Sequence, residues 1–122
     1  MTTFFVTGAN SGIGRALVEA YPAARVQWVP LDVSDLTSVR RAAEAFLASG
    51  RPLDVLVNNA GIAGTRALSQ DGFDVTYATK HIGPFLLTNL LLPRVRESRQ
   101  GRVVNVASAA RRRGAAGSRI TP

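Results

Sequence analysis

The run Thr7-Gly8-Ala9-Asn10-Ser11-Gly12-Ile13-Gly14 limits this chain more than any other feature. Before it stands Thr-Phe-Phe-Val-Thr at 3–7, a short apolar, β-prone stretch that reads as a buried strand. After it come helix-forming residues from Ile13 to about Tyr21, stopped by Pro22. Glycines at these places each have a use. Gly8 permits a tight turn at the strand end, Gly12 leaves room for a close approach to the backbone, and Gly14 lets the helix lie against the strand. The helix start then offers unpaired N–H groups and a partial positive charge to an anion such as a pyrophosphate, and Asn10 and Ser11 add short donors. Three glycines in eight residues also suit an ordinary strand–helix turn, so context decides between the two.

The rest of the chain alternates in the same way. Arg25 to Leu31 is a second strand candidate, weakened late by Pro30. Ser34 is placed to cap a helix in which Leu36, Val39, Ala43, Phe46 and Leu47 recur at helical spacing, closed by Gly50. Leu53 to Val57 is a third strand, and Arg102 to Val106 a fourth. Between them, Phe73 to Leu92 has a helical apolar pattern with a kink predicted at Gly83 and Pro84. Strands alternating with helices imply parallel pairing, and near-continuous apolar strands imply a sheet covered on both faces. The expected fold is therefore α/β: a three-layer, doubly wound parallel sheet, incomplete at about four strands. No repeat is visible.

With 122 residues, 46% hydrophobic and 19% charged, the chain suits one domain with a modest core. The absence of cysteine excludes a disulfide scaffold, a thiolate metal site and cysteine nucleophilic catalysis, and a single histidine argues against a histidine-rich metal site. No apolar run approaches the roughly 20 residues of a membrane helix, and the first residues lack the basic start of a signal peptide. The expectation is a cytoplasmic protein with no membrane partner. The net charge is +7. Residues 1–93 carry seven basic and seven acidic groups, so the excess lies in 94–122, with eight arginines against Glu97. Residues 111–122 read as a solvated basic tail, and nucleic acid is not expected as a partner, although a basic end is the feature such binding would use.

Asn58-Asn59-Ala60-Gly61 follows the third strand, and Val103 to Ser108 carries the fourth. With the turn at 7–14, Leu31-Asp32-Val33 and the segment 73–93, these pieces resemble the short-chain dehydrogenase/reductase family, in that family's order. The wording at 31–50 and 73–93 is most similar to its retinol dehydrogenase-like branch. The resemblance implies a Rossmann-like NAD- or NADP-binding domain over residues 1–110 and alcohol–carbonyl interconversion on a small lipophilic alcohol or ketone. It implies that Gly8, Asn10, Ser11, Gly12, Ile13 and Gly14 hold the cofactor diphosphate and adjacent ribose. Asp32 and Val33 would meet the adenine edge, and Asn59, Ala60 and Gly61 would shape the floor beside the cofactor. Ser108 aligns with the family's catalytic serine, which hydrogen-bonds the substrate oxygen; a polar strand cap is its plainer reading. In the family a tyrosine then exchanges a proton with that oxygen, and a lysine four residues on makes this feasible by stabilising the phenolate.

Three departures bear on activity. Only residues 15–31 separate Gly14 from Asp32, too few for the family's helix, strand, helix and strand, so one strand–helix unit is missing. Cofactor phosphate preference is then unreadable, and Asp32 has a second candidate place, at the ribose, if the strand ending at Leu31 slides beside the first. Lys80 stands where the family carries an asparagine of its proton relay, and a lysine has no acceptor to offer. No Tyr-xxx-Lys follows Ser108; Tyr21 and Tyr77 both precede it and read as packing residues, and His81 as a helix-face residue. The chain thus reads as an oxidoreductase by descent, impaired as it stands. The alternatives are a non-catalytic dinucleotide-binding module, or a truncated gene product whose fourth strand is an exposed sheet edge.

Overall fold

Three short runs pair into one parallel sheet. β1 (Phe4–Val6), β2 (Val55–Asn58) and β3 (Arg102–Asn105) lie in that order, with Phe5 opposite Leu56 and Asn58 opposite Asn105. The structure is a computed structural model describing residues 2–8, 12–20, 29–59 and 67–106, with backbone only at Gly12 and Ile13. Of the strand expected at 25–31, residues 25–28 lie outside this set, and Val29, Pro30 and Leu31 carry no strand. Proline supplies no ladder donor at position 30, and Leu31 packs instead against the core beside β1 and β2. The sheet therefore has three strands among the described residues, not four.

The helices follow their apolar spacing. α1 (Gly12–Glu19) starts one residue earlier than expected, and α2 (Leu36–Ala48) buries Val39, Ala42, Ala43 and Phe46. The α2 cap is Asp35, whose carboxylate accepts from Thr37 N–H at 3.0 Å, and not Ser34. Ser34 is already committed: its N–H and its hydroxyl both donate to Asp32 Oδ1, at 3.0 and 2.7 Å. Gly50 ends this helix as expected, with φ at 72°.

The long segment after residue 74 runs as α3 (Val75–Tyr77), a wide π turn (Ala78–Ile82) and α4 (Gly83–Arg96). The kink predicted at Gly83 and Pro84 takes the form of that π turn. Pro84 has no N–H for a regular helical bond, and Gly83 N–H reaches five residues back to the Ala78 carbonyl. A side chain at 83 would not fit, because its Cβ would lie 2.0 Å from the Val33 carbonyl oxygen. α4 passes through Pro93 and ends at Arg96, four residues beyond the expected end at Leu92, and buries Leu87, Leu91 and Val95.

α2 and α4 lie side by side on one face of the sheet, over Phe5 and Leu56, with Phe5 and Phe46 in edge-to-face contact at 5.5 Å. Val55 and Val57 alternate to the opposite face and are buried too, so β2 is covered on both sides. β3 is not: Val104, and Val106 just beyond the strand, are each 41% exposed, and β3 has no further strand neighbour among the described residues. Among the described residues no helix is long and apolar enough to cross a membrane. The boundary expected at 110/111 and the basic tail lie outside the described residues.

Candidate functional site

The carboxyl ends of β1 and β2 bring together three of the residues singled out from the sequence. Gly8 leaves β1 with φ at 68°, a conformation that costs side-chain-bearing residues about 1–2 kcal/mol. Thr7, buried, gives its N–H to the Val57 carbonyl at 3.0 Å and accepts from Asn59 N–H on its hydroxyl at 2.9 Å. Asn59 Nδ2 donates to the Gly8 carbonyl at 3.3 Å, tying the end of β2 to the turn. α1 then comes so close that a Cβ on Gly14 would lie 2.4 Å from both the Gly8 carbonyl oxygen and Asn59 Nδ2. The turn is thus held by neutral hydrogen bonds, with the start of α1 brought against it and no acidic side chain among these contacts to oppose an anion.

Asn58, one residue earlier, supports this end of the sheet in a way sequence reasoning missed. Its Nδ2 donates to Thr88 Oγ1 on α4 at 3.0 Å and to Asn105 Oδ1 on β3 at 2.9 Å. Its Oδ1 is buried without a hydrogen-bond partner among the described residues. Leaving a buried acceptor unmatched costs free energy, on the order of 1–3 kcal/mol, so the double donation that ties β2 to α4 and β3 is what holds the side chain there. The signal available in sequence was the polar end of an apolar strand, but its partners are 30 and 47 residues away.

Asp32 and Val33 lie in the connection leading into α2. Val33 is buried against Gly83, while Asp32 is exposed. Asp32 Oδ1 serves Ser34, and Oδ2 has no partner among the described residues. Lys80 is exposed on the π turn, with no hydrogen bond or ion pair to Asp32, Asn58 or Asn59. His81 lies on the helix face as expected, its ring 5.2 Å from Tyr77 and 6.5 Å from Phe85. Tyr77, read as a packing residue, is 53% exposed and packs through its ring, stacked on His81. Asn10, Ser11, Ala60, Gly61 and Ser108 lie outside the described residues, as does Tyr21.

The opposite end of the sheet has a different character. An open cavity of about 300 Å³ lies between Gly50, Pro52, Leu53, Arg94, Glu97 and Ser98. Arg94 there donates to the carbonyls of Arg51 and Leu47, so its charge closes the end of α2. Asp54 accepts from Ser98 Oγ at 2.5 Å and from Thr3 N–H at 2.7 Å, and these bonds hold its carboxyl below the ordinary value of 3.8. No group of acidic or histidine side chains among the described residues is arranged to hold a metal ion.

A parallel sheet with a glycine turn between its first strand and first helix, anchored to the neighbouring strand's end, is a Rossmann-type arrangement. Residues 20–119 match the short chain dehydrogenase family, and the chain belongs to that family. The glycine turn precedes the matched span, so membership does not depend on it. The chain is 42% identical to dehydrogenase/reductase SDR family member 13 of Bos taurus, over 92% of its own length and 37% of that protein's. It is 44% identical to the chloroplastic short-chain dehydrogenase TIC 32 A of Brassica napus, over 85% and 34%. Human retinol dehydrogenase 11 is 37% identical over 86% and 42%. A short-chain dehydrogenase structure from Streptomyces avermitilis superposes with a TM-score of 0.73 at 33% identity, over 88% of this chain and 49% of that one. NADPH-bound carbonyl reductase from chicken fatty liver gives 0.71 at 27%, over 90% and 60%. The chain thus spans well under half the length of these curated relatives. The match to the Bos taurus protein extends over 140 positions, more than the 122 residues present, so that relative carries residues inside the matched stretch that this chain lacks.

Proposed function

We propose that the chain is the dinucleotide-binding portion of a short-chain dehydrogenase/reductase, holding NAD or NADP, with alcohol–carbonyl interconversion as its ancestral reaction and impaired turnover as this chain. One observation carries the reading: the close contact of Gly14 with Gly8 and Asn59, a cradle that a single Cβ would fill. The residues present fit such a group. The Gly8–Gly14 turn would hold the diphosphate and adjacent ribose, with Asn10, Ser11, Gly12 and Ile13 in it. Asn59, Ala60 and Gly61 would form the floor. Asp32 Oδ2, the free acceptor, would take the amino group of adenine beside Val33.

A bound nicotinamide nucleotide would supply the hydride carrier for interconverting a small lipophilic alcohol and its ketone. Ser108 would donate its hydroxyl to the substrate oxygen. Impaired turnover is supported by Lys80, which replaces an acceptor-bearing side chain of the family's proton relay with one that has no acceptor. The reading is tested by calorimetric titration of the purified chain with NADH and NADPH, together with turnover assays on alcohols and ketones. Measurable heat with negligible turnover is expected. No heat with either nucleotide would overturn the binding role, and robust turnover abolished by Ser108→Ala would overturn the impairment.

A further inference from the structure

We infer that Asp71 is a positioning residue for the adenine side of the site, acting through the first turn of α2 on Asp32. The inference rests on the adenine role given to Asp32 above. Asp71 sits at the tip of a tight turn. Leu68 and Asp74 form an antiparallel bridge, Ser69 N–H donates to the Phe73 carbonyl at 2.6 Å, and Gly72, at φ 86°, closes the loop with a bond to the Ser69 carbonyl. The turn is tied to the next helix, where Asp74 accepts from Tyr77 N–H. Its tip is therefore fixed, and it sends one carboxylate oxygen 35 residues back in sequence: Asp71 Oδ2 accepts from Leu36 N–H at 2.9 Å.

Leu36 is the first residue of α2, and its N–H has no partner inside the helix. Asp35 takes the next donor, Thr37 N–H, so two carboxylates close the positive end of the helix, one local and one remote. What the remote bond sets is where α2 begins. Asp32 follows that start, because its own N–H donates to Ser38 Oγ in the first turn at 2.7 Å and its carbonyl accepts from Asp35 N–H at 3.0 Å. On the other flank Val33 is held against Gly83. The path from Asp71 to Asp32 thus runs through Leu36 N–H, Ser38 Oγ and Asp35 N–H, with no long flexible side chain.

The test compares affinity for NADH with affinity for reduced nicotinamide hypoxanthine dinucleotide, whose base presents an oxygen where adenine presents the amino group. The wild-type chain should favour NADH by about tenfold, a typical worth for one well-placed polar contact. Asp71→Ala removes the acceptor. Leu36→Pro removes the donor at a position where a helix accepts proline, and Asp35 already has the extended backbone that a residue before proline requires (φ −110°, ψ 112°). Each single variant should bring the NADH preference close to one, the double variant should lose nothing more, and Asp71→Asn, which keeps an acceptor, should restore it. A purely structural role would lower the melting temperature and weaken both nucleotides alike, leaving the ratio unchanged. An unchanged ratio, a wild-type ratio near one, or additive losses in the double variant would overturn the inference while leaving dinucleotide binding intact. A wild-type chain that binds neither nucleotide would overturn the underlying reading as well.

Discussion

Replacing Gly14 by alanine tests the geometry on which the site depends. The added Cβ would lie 2.4 Å from the Gly8 carbonyl oxygen and 2.4 Å from Asn59 Nδ2, where ordinary contact begins at 3.4 Å. Asn59 can swing away, at the expense of its bond to Gly8. The carbonyl is backbone and cannot, so α1 must lift from the turn by roughly 1 Å. Overpacking of this kind costs about 1–3 kcal/mol. Alanine returns up to about 1 kcal/mol of helix propensity, leaving a net loss of about 1–2 kcal/mol. For a chain of 122 residues, between the two size classes, that lowers the melting temperature by roughly 3–12 °C. Thermal unfolding followed by circular dichroism reads the stability, and calorimetry with NADH reads the site, where affinity should fall with the displaced helix start. Gly50→Ala is the control. It has φ at 72° but nothing within 4 Å, so it should lose stability through backbone strain alone and leave NADH affinity untouched. A Gly14→Ala chain that melts with wild type and binds NADH equally would refute the close contact and the cradle argued from it.

Three further outcomes are expected. Leu91→Ala empties a fully buried position between α2, α4 and the sheet and should cost about 3 kcal/mol in urea unfolding; a loss under about 1 kcal/mol would mean the two helices do not share that core. Arg94→Met keeps the apolar stem but removes the donors to Leu47 and Arg51, and should cost about 1 kcal/mol by the same measurement, with no change in NADH binding. Because Asp54 titrates below its ordinary 3.8 in the folded chain, its contribution is complete above that value and is lost as pH falls through the lower folded value. Asp54→Asn should therefore melt lower than wild type at neutral pH and converge with it in acid; parallel melting curves down to strongly acidic pH would contradict the Ser98 and Thr3 bonds as the cause.

Much of this architecture was legible in the amino-acid order, because the forces concerned act over a few residues. A glycine with no Cβ at position 8, apolar residues every three or four places in α2 and α4, and runs of valine and phenylalanine at β1 and β2 each favour one local backbone shape. The apolar Val55, Leu56 and Val57 already required a strand buried on both faces. Competition for hydrogen bonds was another matter. Ser34 and Asp35 are both good helix caps by type, and Asp35 caps only because Asp32 engages Ser34 first. That Val33, from another part of the chain, lies against Gly83 could not be read from Pro84 and its neighbours. Asp71 finding Leu36, and Asn58 finding Thr88 and Asn105, are meetings across 30 to 47 residues. Residue type declares that such a group needs a partner; only packing in three dimensions delivers one, since the donor that wins is the one the fold brings within about 3 Å.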